Sequence, residues 1–334
     1  MKIIADAFGG DNAPLAVLEG CRMAADKLPG VTIVLAGERE RILECARKSE
    51  ISLDGMEILD APRVFEMDFD PVSILRENKD TSMGAGLRAL ADKEADAFLS
   101  AGSTGALLVG ATLIVKRIRG VRRAAIGAVL PTAKKPFLLL DAGANSECTP
   151  EMLENFALLG SIYSARVLGV EKPRVALANI GEEANKGDSL RQETYARLKE
   201  NRSIHFIGNI EARELPQGAC DIAVTDGFTG NMLLKLYEGM GKMMKGNLEA
   251  LFKRNVFSYL GAAMVLPGLK ALKKQMDYKE YGGAPLLGIN GVVIKAHGSS
   301  NATAIYHAVR QAEQCVKSDM TETIKTNLMK RSEP

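Results

Sequence analysis

Phe98-Leu-Ser-Ala-Gly-Ser-Thr-Gly105 is a short apolar run that breaks into Gly, Ser and Thr just ahead of a longer apolar segment, Thr104 to Ile118, expected to be a helix. The same event recurs at Leu139-Leu-Asp-Ala-Gly-Ala-Asn145, Ala178-Asn-Ile-Gly-Glu-Glu-Ala-Asn-Lys-Gly187, Val224-Thr-Asp-Gly-Phe-Thr-Gly-Asn231 and Ile294-Lys-Ala-His-Gly-Ser-Ser-Asn301. A strand that stops at small polar residues before a helix is the unit of an α/β sheet. Such loops are expected along one sheet edge, where open α/β folds bind ligands. Each helix start offers unpaired N–H donors and about half a positive charge, which suits a phosphate. A small anionic substrate is the first expectation.

Outward from these loops the alternation continues. Strands are expected at Lys2–Ala7, Val31–Ala36, Glu57–Asp60 and Ala95–Leu99, with helices from Pro14 to about Lys27, over Glu38–Lys48, and from Thr81 or Ser82 to Asp92. Asp70-Pro71 opens a short helix. Ala125–Leu130 and Phe137–Leu140 read as a hairpin, and Thr149-Pro150 as a helix start with proline in its first turn. The second half repeats the pattern: strands at Arg174–Ala178, Ile204–Gly208, Ile222–Thr225 and Gly291–Lys295, helices from Asp188, Phe228 and Ser299, and a polar tail helix beyond Asp319. The fold class is therefore α/β, three α/β/α layers around a largely parallel sheet. No composition shift marks a linker, so residues 1–330 are expected as a single domain, with length alone allowing two lobes around a cleft. Residues 246–283 read as an inserted amphipathic helical segment.

Bulk properties exclude several classes. Hydrophobic residues make up 46% of 334, and the mean hydropathy of −0.02 is that of an ordinary globular enzyme. Lys plus Arg number 43 against 41 Asp plus Glu, a net charge of +2, which argues against a nucleic-acid partner. The five cysteines, Cys21, Cys45, Cys148, Cys220 and Cys315, are dispersed without metal or redox spacing and read as reduced thiols. No h-region opens the chain and no apolar run reaches the roughly 20 residues a membrane span needs. A cytoplasmic protein with no metal and no cofactor is expected.

Familiar signatures are missing. Gly181-Glu-Glu-Ala-Asn-Lys186 lacks P-loop spacing, and Gly84-Ala-Gly86 follows a polar stretch rather than a strand. The loops therefore carry the reading. Gly102, Ser103, Thr104 and Gly105 are a helix cap and a tight turn on the plain view, and an amide cradle for an anion on the other. Asp226-Gly-Phe-Thr-Gly-Asn231 is less easily explained as a cap alone, because Phe228 sets an apolar wall among polar neighbours. That combination suits an acyl group beside a phosphate. Lys186 is either a solvated cation or one directed at ligand, and His297, just before Gly298-Ser299-Ser300-Asn301, either a core histidine or one facing the cleft.

Taken together, Asp6-Ala-Phe-Gly-Gly-Asp-Asn-Ala-Pro14, Ser100-Ala-Gly-Ser-Thr-Gly105, Asp141-Ala-Gly-Ala-Asn145, Asn179-Ile-Gly-Glu-Glu-Ala-Asn-Lys-Gly187, Thr225-Asp-Gly-Phe-Thr-Gly-Asn231 and His297-Gly-Ser-Ser-Asn301 resemble, in order over nearly the whole chain, the acyl-acyl carrier protein–phosphate acyltransferase (PlsX) family of bacterial phospholipid synthesis. The first motif departs from the family pattern at Phe8 and Asn12, where Met and His are expected. The resemblance implies a fold like that of phosphotransacetylase and isocitrate dehydrogenase. It also implies conversion of long-chain acyl-acyl carrier protein and inorganic phosphate to acyl phosphate, for glycerophospholipid synthesis. Homodimers, peripheral membrane association at the inner face, and an acyl-phosphate-using glycerol-3-phosphate acyltransferase as downstream partner follow from it too. A related phosphotransacylase using acyl-coenzyme A, or a non-catalytic acyl-phosphate or lipid binder, are the competing readings.

On this basis Lys186, Asn231, His297 and Asp226 are the candidate catalytic residues. Gly102–Gly105 with Gly298, Ser299, Ser300 and Asn301 are the candidate phosphate loops. Asp6, Gly9, Gly10, Asn145, Phe228 and Thr229 are assigned to the acyl thioester pocket. Basic residues border the apolar tip of the inserted segment, so Val256, Phe257, Leu260, Val265 and Leu266 are expected to touch lipid, with a dimer interface as the plainer reading. Arg117, Arg119, Arg122 and Arg123 are the expected docking patch for an acidic carrier protein, against a simple solvated face.

Overall fold

The computed structural model describes residues 1–255 and 282–332, with 258, 261, 264, 265, 267 and 268 as isolated positions between. The first half supplies β1 (Lys2–Asp6), α1 (Leu15–Lys27), β2 (Thr32–Gly37), α2 (Arg39–Lys48), β3 (Glu57–Asp60), a 3-10 turn (Pro71–Leu75), α3 (Ser82–Ala91), β4 (Ala97–Ser100) and α4 (Thr104–Gly110). The helix expected from Thr104 to Ile118 widens to a π-helix over Ala111–Lys116. Then come β5 (Ala125–Leu130), β6 (Phe137–Leu140), α5 (Pro150–Arg166), β7 (Arg174–Asn179), α6 (Ser189–Glu200), β8 (His205–Glu211), a second 3-10 turn, β9 (Ile222–Val224) and α7 (Gly227–Phe252). After 282 follow β10 (Ala284–Leu287), β11 (Val292–Lys295), α8 (Ala302–Lys317) and α9 (Met320–Ser332).

Among the described residues eleven strands form one sheet, in the order β3-β2-β1-β4-β11-β10-β5-β6-β9-β7-β8. The side chains of each strand alternate between its faces. Ile3, Ala5, Leu138, Leu140, Val292 and Ile294 join one core with residues of α1, α5 and α8. Ile4, Phe137, Leu139 and Val293 join the other, with residues of α3 and α4. The three layers expected from the sequence are present.

One expectation about the sheet is corrected. β1, β2, β3, β4 and β11 are mutually parallel, and β6, β9, β7 and β8 are mutually parallel. Between the blocks, however, β11–β10, β10–β5 and β5–β6 are all antiparallel. Three reversals make the two blocks run in opposite senses, so their strand-end loops emerge at opposite edges of the sheet and not along a single edge.

The long helix α7 spans those edges. It is continuous from Gly227 to Phe252, so residues 246–252 belong to it rather than beginning a separate insertion. Val256, Phe257, Leu260 and Leu266 lie outside the described residues; Val265 is exposed. No helix among the described residues is long and apolar enough to cross a membrane.

Helices α1 and α8 approach closely at Gly20 of α1. A Cβ there would meet Ala302 O at 2.5 Å and Ile305 Cβ at 2.6 Å. Gly20→Ala is expected to lose about 2 kcal/mol of stability, overpacking outweighing a helix-propensity gain of about 1 kcal/mol. Urea denaturation checks this, and unchanged stability would show that the two helices separate freely.

Candidate functional site

At the first edge the loops after β1, β4 and β11 interlock. Asp6 ends β1 fully buried, accepting a hydrogen bond from Ser100 Oγ at 2.6 Å and from Phe8 N at 3.3 Å. Burial pushes its carboxyl above the usual range, against the pull of those donors. Ser100 Oγ in turn accepts from Gly102 N. Gly9 lies on this arrangement so closely that a Cβ would sit 2.7 Å from both Asp6 Oδ2 and Gly102 N. Only glycine permits that contact.

The β11 loop closes over the β1 loop. Asp11 N donates to Gly298 O at 2.8 Å and Asn12 Nδ2 to Ser300 O at 3.1 Å. Gly10, with φ +100°, is packed against Gly298 O and Ala101. Asn12 thus makes a loop-to-loop bond. Ser103 caps α4 through Ala106 N, and Asn301 caps α8 through Ala304 N at 3.0 Å. Ser103 acts as the plain reading of its loop requires, while the helix expected from Ser299 starts at Ala302 with Asn301 as its cap; both starts leave other first-turn amides without an intrahelical partner.

His297 belongs to this edge. Its Nδ1 accepts from Ser299 N at 3.1 Å, which puts the proton of the neutral ring on Nε2. Nε2 lies 3.9 Å from Glu238 Oε1 on α7. Glu238 is ten residues beyond Phe228, about 15 Å along the helix, and this contact shows how α7 reaches from one edge to the other.

At the second edge Asp141 organises the loop after β6. Its carboxylate accepts from Ile126 N (3.0 Å), Gly143 N (3.2 Å), Ala144 N (3.0 Å), Asn145 N (2.7 Å) and Asn145 Nδ2 (2.9 Å). Burial raises its pKa, opposed by these donors. Gly230 of α7 is held against Asp141 O with no room for a side chain, and Asn231 lies beside Gly143. Asp226 caps α7 through Thr229 N at 2.9 Å, accepts from Thr229 Oγ1 and pairs with Arg191, which also holds Asp188 at 3.0 Å. Ser146, Glu147, Cys148, Leu190, Arg191, Asp226, Phe228 and Thr229 line an open cleft of about 440 Å³. Burial pushes the Cys148 thiol up to about 12, so it is no nucleophile at neutral pH.

Lys186 sits in the exposed loop before α6, two residues ahead of the Asp188 cap, with its side chain laid over Gly181. Its N donates to Glu183 O. The structure thus groups the candidates in two sets: Asp6, Gly9, Gly10, Gly102–Gly105 and His297–Asn301 at one edge, and Asn145, Lys186, Asp226, Phe228, Thr229 and Asn231 with the loops of the other block. Arg117, Arg119, Arg122 and Arg123 are all exposed, with Arg122 Nη1 paired to Glu151 at 3.0 Å. Sequence reading missed three polar residues that build these edges. Lys295 ends the apolar strand Val292-Val-Ile-Lys295, Arg191 places a cation in a first helical turn, and Glu238 faces His297 from mid-helix. A charge ending a buried strand was the available signal for the first.

A three-layer α/β/α body with a large, mostly parallel sheet is the fold of the phosphotransacetylases. A phosphotransacetylase from Streptococcus pyogenes superposes with a TM-score of 0.66 at 16% identity, covering 95% of this chain and 94% of that one. The EutD phosphotransacetylase from Staphylococcus aureus superposes with a TM-score of 0.62 at 17% identity, over 95% and 94% of the two chains. At this identity the likeness shows the fold.

The chain belongs to the family described as "Fatty acid synthesis protein", whose model matches residues 1–323. It is 41% identical over 332 residues to "Phosphate acyltransferase" of Clostridium perfringens (strain SM101 / Type A), covering 99% of this chain and 98% of the relative. It is 43% identical over 328 residues to "Phosphate acyltransferase" of Clostridium botulinum (strain ATCC 19397 / Type A), covering 98% of each.

Asp226→Ala removes a helix cap and leaves the Arg191 guanidinium, 16% exposed, with Asp188 as its carboxylate partner and a neutral hydrogen bond to Thr229 Oγ1 at 3.2 Å. The variant is expected to lose roughly 3 kcal/mol. Thermal unfolding checks this; a loss below about 1 kcal/mol would reduce Asp226 to a cap.

Proposed function

We propose that the protein transfers a long-chain acyl group from acyl-acyl carrier protein to inorganic phosphate, giving acyl phosphate for glycerophospholipid synthesis. Family membership supports the reaction class, and the observation that carries the site is the cradle where Gly9, Gly10, Gly102–Gly105 and Ser299–Asn301 meet. Its residues are small and its amides point from helix starts, as an orthophosphate site requires. A phosphate oxygen attacks the thioester carbonyl carbon; the new O–C bond forms, the C–S bond breaks, and the thiolate leaves and takes a proton. Phosphate is already ionised, so holding it beside the carbonyl and stabilising the oxyanion are the main tasks. His297, with its Nε2–H, is suited to the oxyanion or the leaving sulfur.

The reading includes a homodimer, because the candidate residues lie at two edges. The outer face of α7 carries Met232 (61% exposed), Leu236 (60%), Met240 (45%) and Met243 (50%). These four fall within about 80° of one another around the helix. Such a patch is the material of an isologous interface. Antiparallel pairing of two α7 helices through this patch lays the middle of one helix, where Glu238 approaches His297, against the middle of the other, with Asn231 about 10 Å along the helix from that point. Asn231, Lys186 and Asp226 then serve the partner's phosphate cradle. The basic surface of Arg117, Arg119, Arg122 and Arg123 is the docking patch for the acidic carrier, and the apolar tip within 256–266 the contact with the inner face of the membrane. The acyl phosphate passes on to a glycerol-3-phosphate acyltransferase.

Three outcomes test this. Lys186→Ala and Asn231→Ala are each expected to cut turnover about tenfold or more, as loss of an oxyanion donor does; near-normal rates for both remove them from the site. Mixing and re-annealing Gly102→Val with Asn231→Ala chains is expected to restore about a quarter of full activity, since half the dimers then hold one intact shared site. No recovery means each site lies within one chain. Val256→Glu with Leu260→Glu is expected to abolish flotation with anionic liposomes, and unchanged flotation assigns the tip to protein contacts alone.

A further inference from the structure

Lys295 is the last residue of β11, the strand that ends the first parallel block beside β4, and nothing in the loop readings assigned it a task. Its Nζ reaches across the sheet edge to Ala101 O at 3.3 Å and also bonds Ala296 O. Ala101 directly precedes Gly102, so the ammonium lies beneath the β4 loop of the amide cradle. Two of its three N–H donors are used on carbonyls, and among the described residues it has no carboxylate within ion-pair distance. The charged groups facing it are Asp6 on β1 and Asp11 on the following loop. His297, on its own loop, is turned to Ser299 and Glu238.

An anion cradle bordered by two carboxylates needs a compensating charge, or phosphate would be repelled on approach. Lys295 is the one cation whose Nζ is bonded into those loops among the described residues. We propose that Lys295 is the charged phosphate-binding residue of the cradle, its third N–H directed to an oxygen of the orthophosphate dianion while the other two pin the β4 and β11 loops. This deepens the acyltransferase reading, on which it rests for the identity of the anion.

Desolvation lowers the Lys295 pKa to about 8, while Asp6 and Asp11 oppose the shift. The ammonium is therefore present below about pH 8 and lost above it. Between that value and the ordinary 10.5 the unfolded chain holds more protons than the folded one, so fold stability rises with pH across this window. Phosphate affinity falls across the same window. A merely structural lysine gives the first slope without the second.

The test measures orthophosphate binding to the intact protein by calorimetry without acyl donor, beside steady-state kinetics with acyl-acyl carrier protein. Lys295→Met is expected to weaken phosphate binding about tenfold or more, the loss of one charge-assisted hydrogen bond, and to raise KM for phosphate alike while KM for the acyl carrier stays within about twofold. Lys295→Arg is expected to restore part of the affinity and, at constant dianion concentration, to abolish the weakening seen above pH 8 in the natural protein. Unchanged phosphate binding in Lys295→Met overturns the proposal. So does equal loss for both substrates, or a pH profile that Lys295→Arg leaves intact. Phosphate binding that depends on Lys295 in a protein unable to use acyl carrier protein would overturn the donor reading and keep this one.

Discussion

The antiparallel pairing of β10 is the constraint on which everything else turns. Its first residues, Ala284 and Pro285, pair with β11, and its last, Leu286 and Leu287, with β5. One strand thus hands the sheet from one parallel block to the other and reverses its sense, and β5–β6 completes the reversal. Each half of β10 serves only one neighbour, which leaves a place for a proline that cannot donate. Strand-end amides that a uniformly parallel sheet would gather on one edge are divided between two. A helix as long as α7 is then required to connect them, and the Glu238–His297 approach marks where it arrives.

The exposed apolar residues of α7 make sense only within that geometry. A helix burying Leu233, Leu234 and Tyr237 against the sheet has already satisfied its own chain. Leaving Met232, Leu236, Met240 and Met243 in water carries a cost that a monomer has no reason to bear. Methionine dominates the patch, a side chain flexible enough to pack against an identical copy of itself. Burial of this face and completion of the two-edged site are thus one event in the proposed dimer.

Much of this was legible before any coordinates. The caps Ser103, Thr149 and Asp226 are short polar residues one position ahead of apolar helices, and each accepts from the expected backbone N–H; the helix expected from Ser299 begins instead at Ala302, capped by Asn301. The β5–β6 hairpin and the three layers followed from strand lengths and alternation. The relative sense of the blocks was not legible, because it is decided by β10, a four-residue strand containing proline that local pattern does not reveal. Lys295 was missed for a similar reason: its contact with Ala101 O spans 194 positions. The start of the inserted segment expected at 246 lies inside α7, where Gly246 is exposed and nothing within 4 Å opposes a side chain.

The two edges use one local device with opposite electrostatic results. Asp6-Ala-Phe-Gly9 and Asp141-Ala-Gly-Ala144 each end a strand with a buried carboxylate that accepts N–H groups from its own turn. Each edge also holds a cation from a neighbouring element. Arg191 spends its charge on Asp226 and Asp188, both within ion-pair distance, so the cation of the second edge is already paired. Lys295 bonds only carbonyls among the described residues, so the cation of the first edge is not spent on an ion pair. In the proposed reaction the dianion binds at the Lys295 edge and the thioester is held at the Asp226 edge of the partner copy. That division of labour is what an acyl transfer without covalent help from the enzyme demands: one surface to bind the nucleophile and another to fix the electrophile.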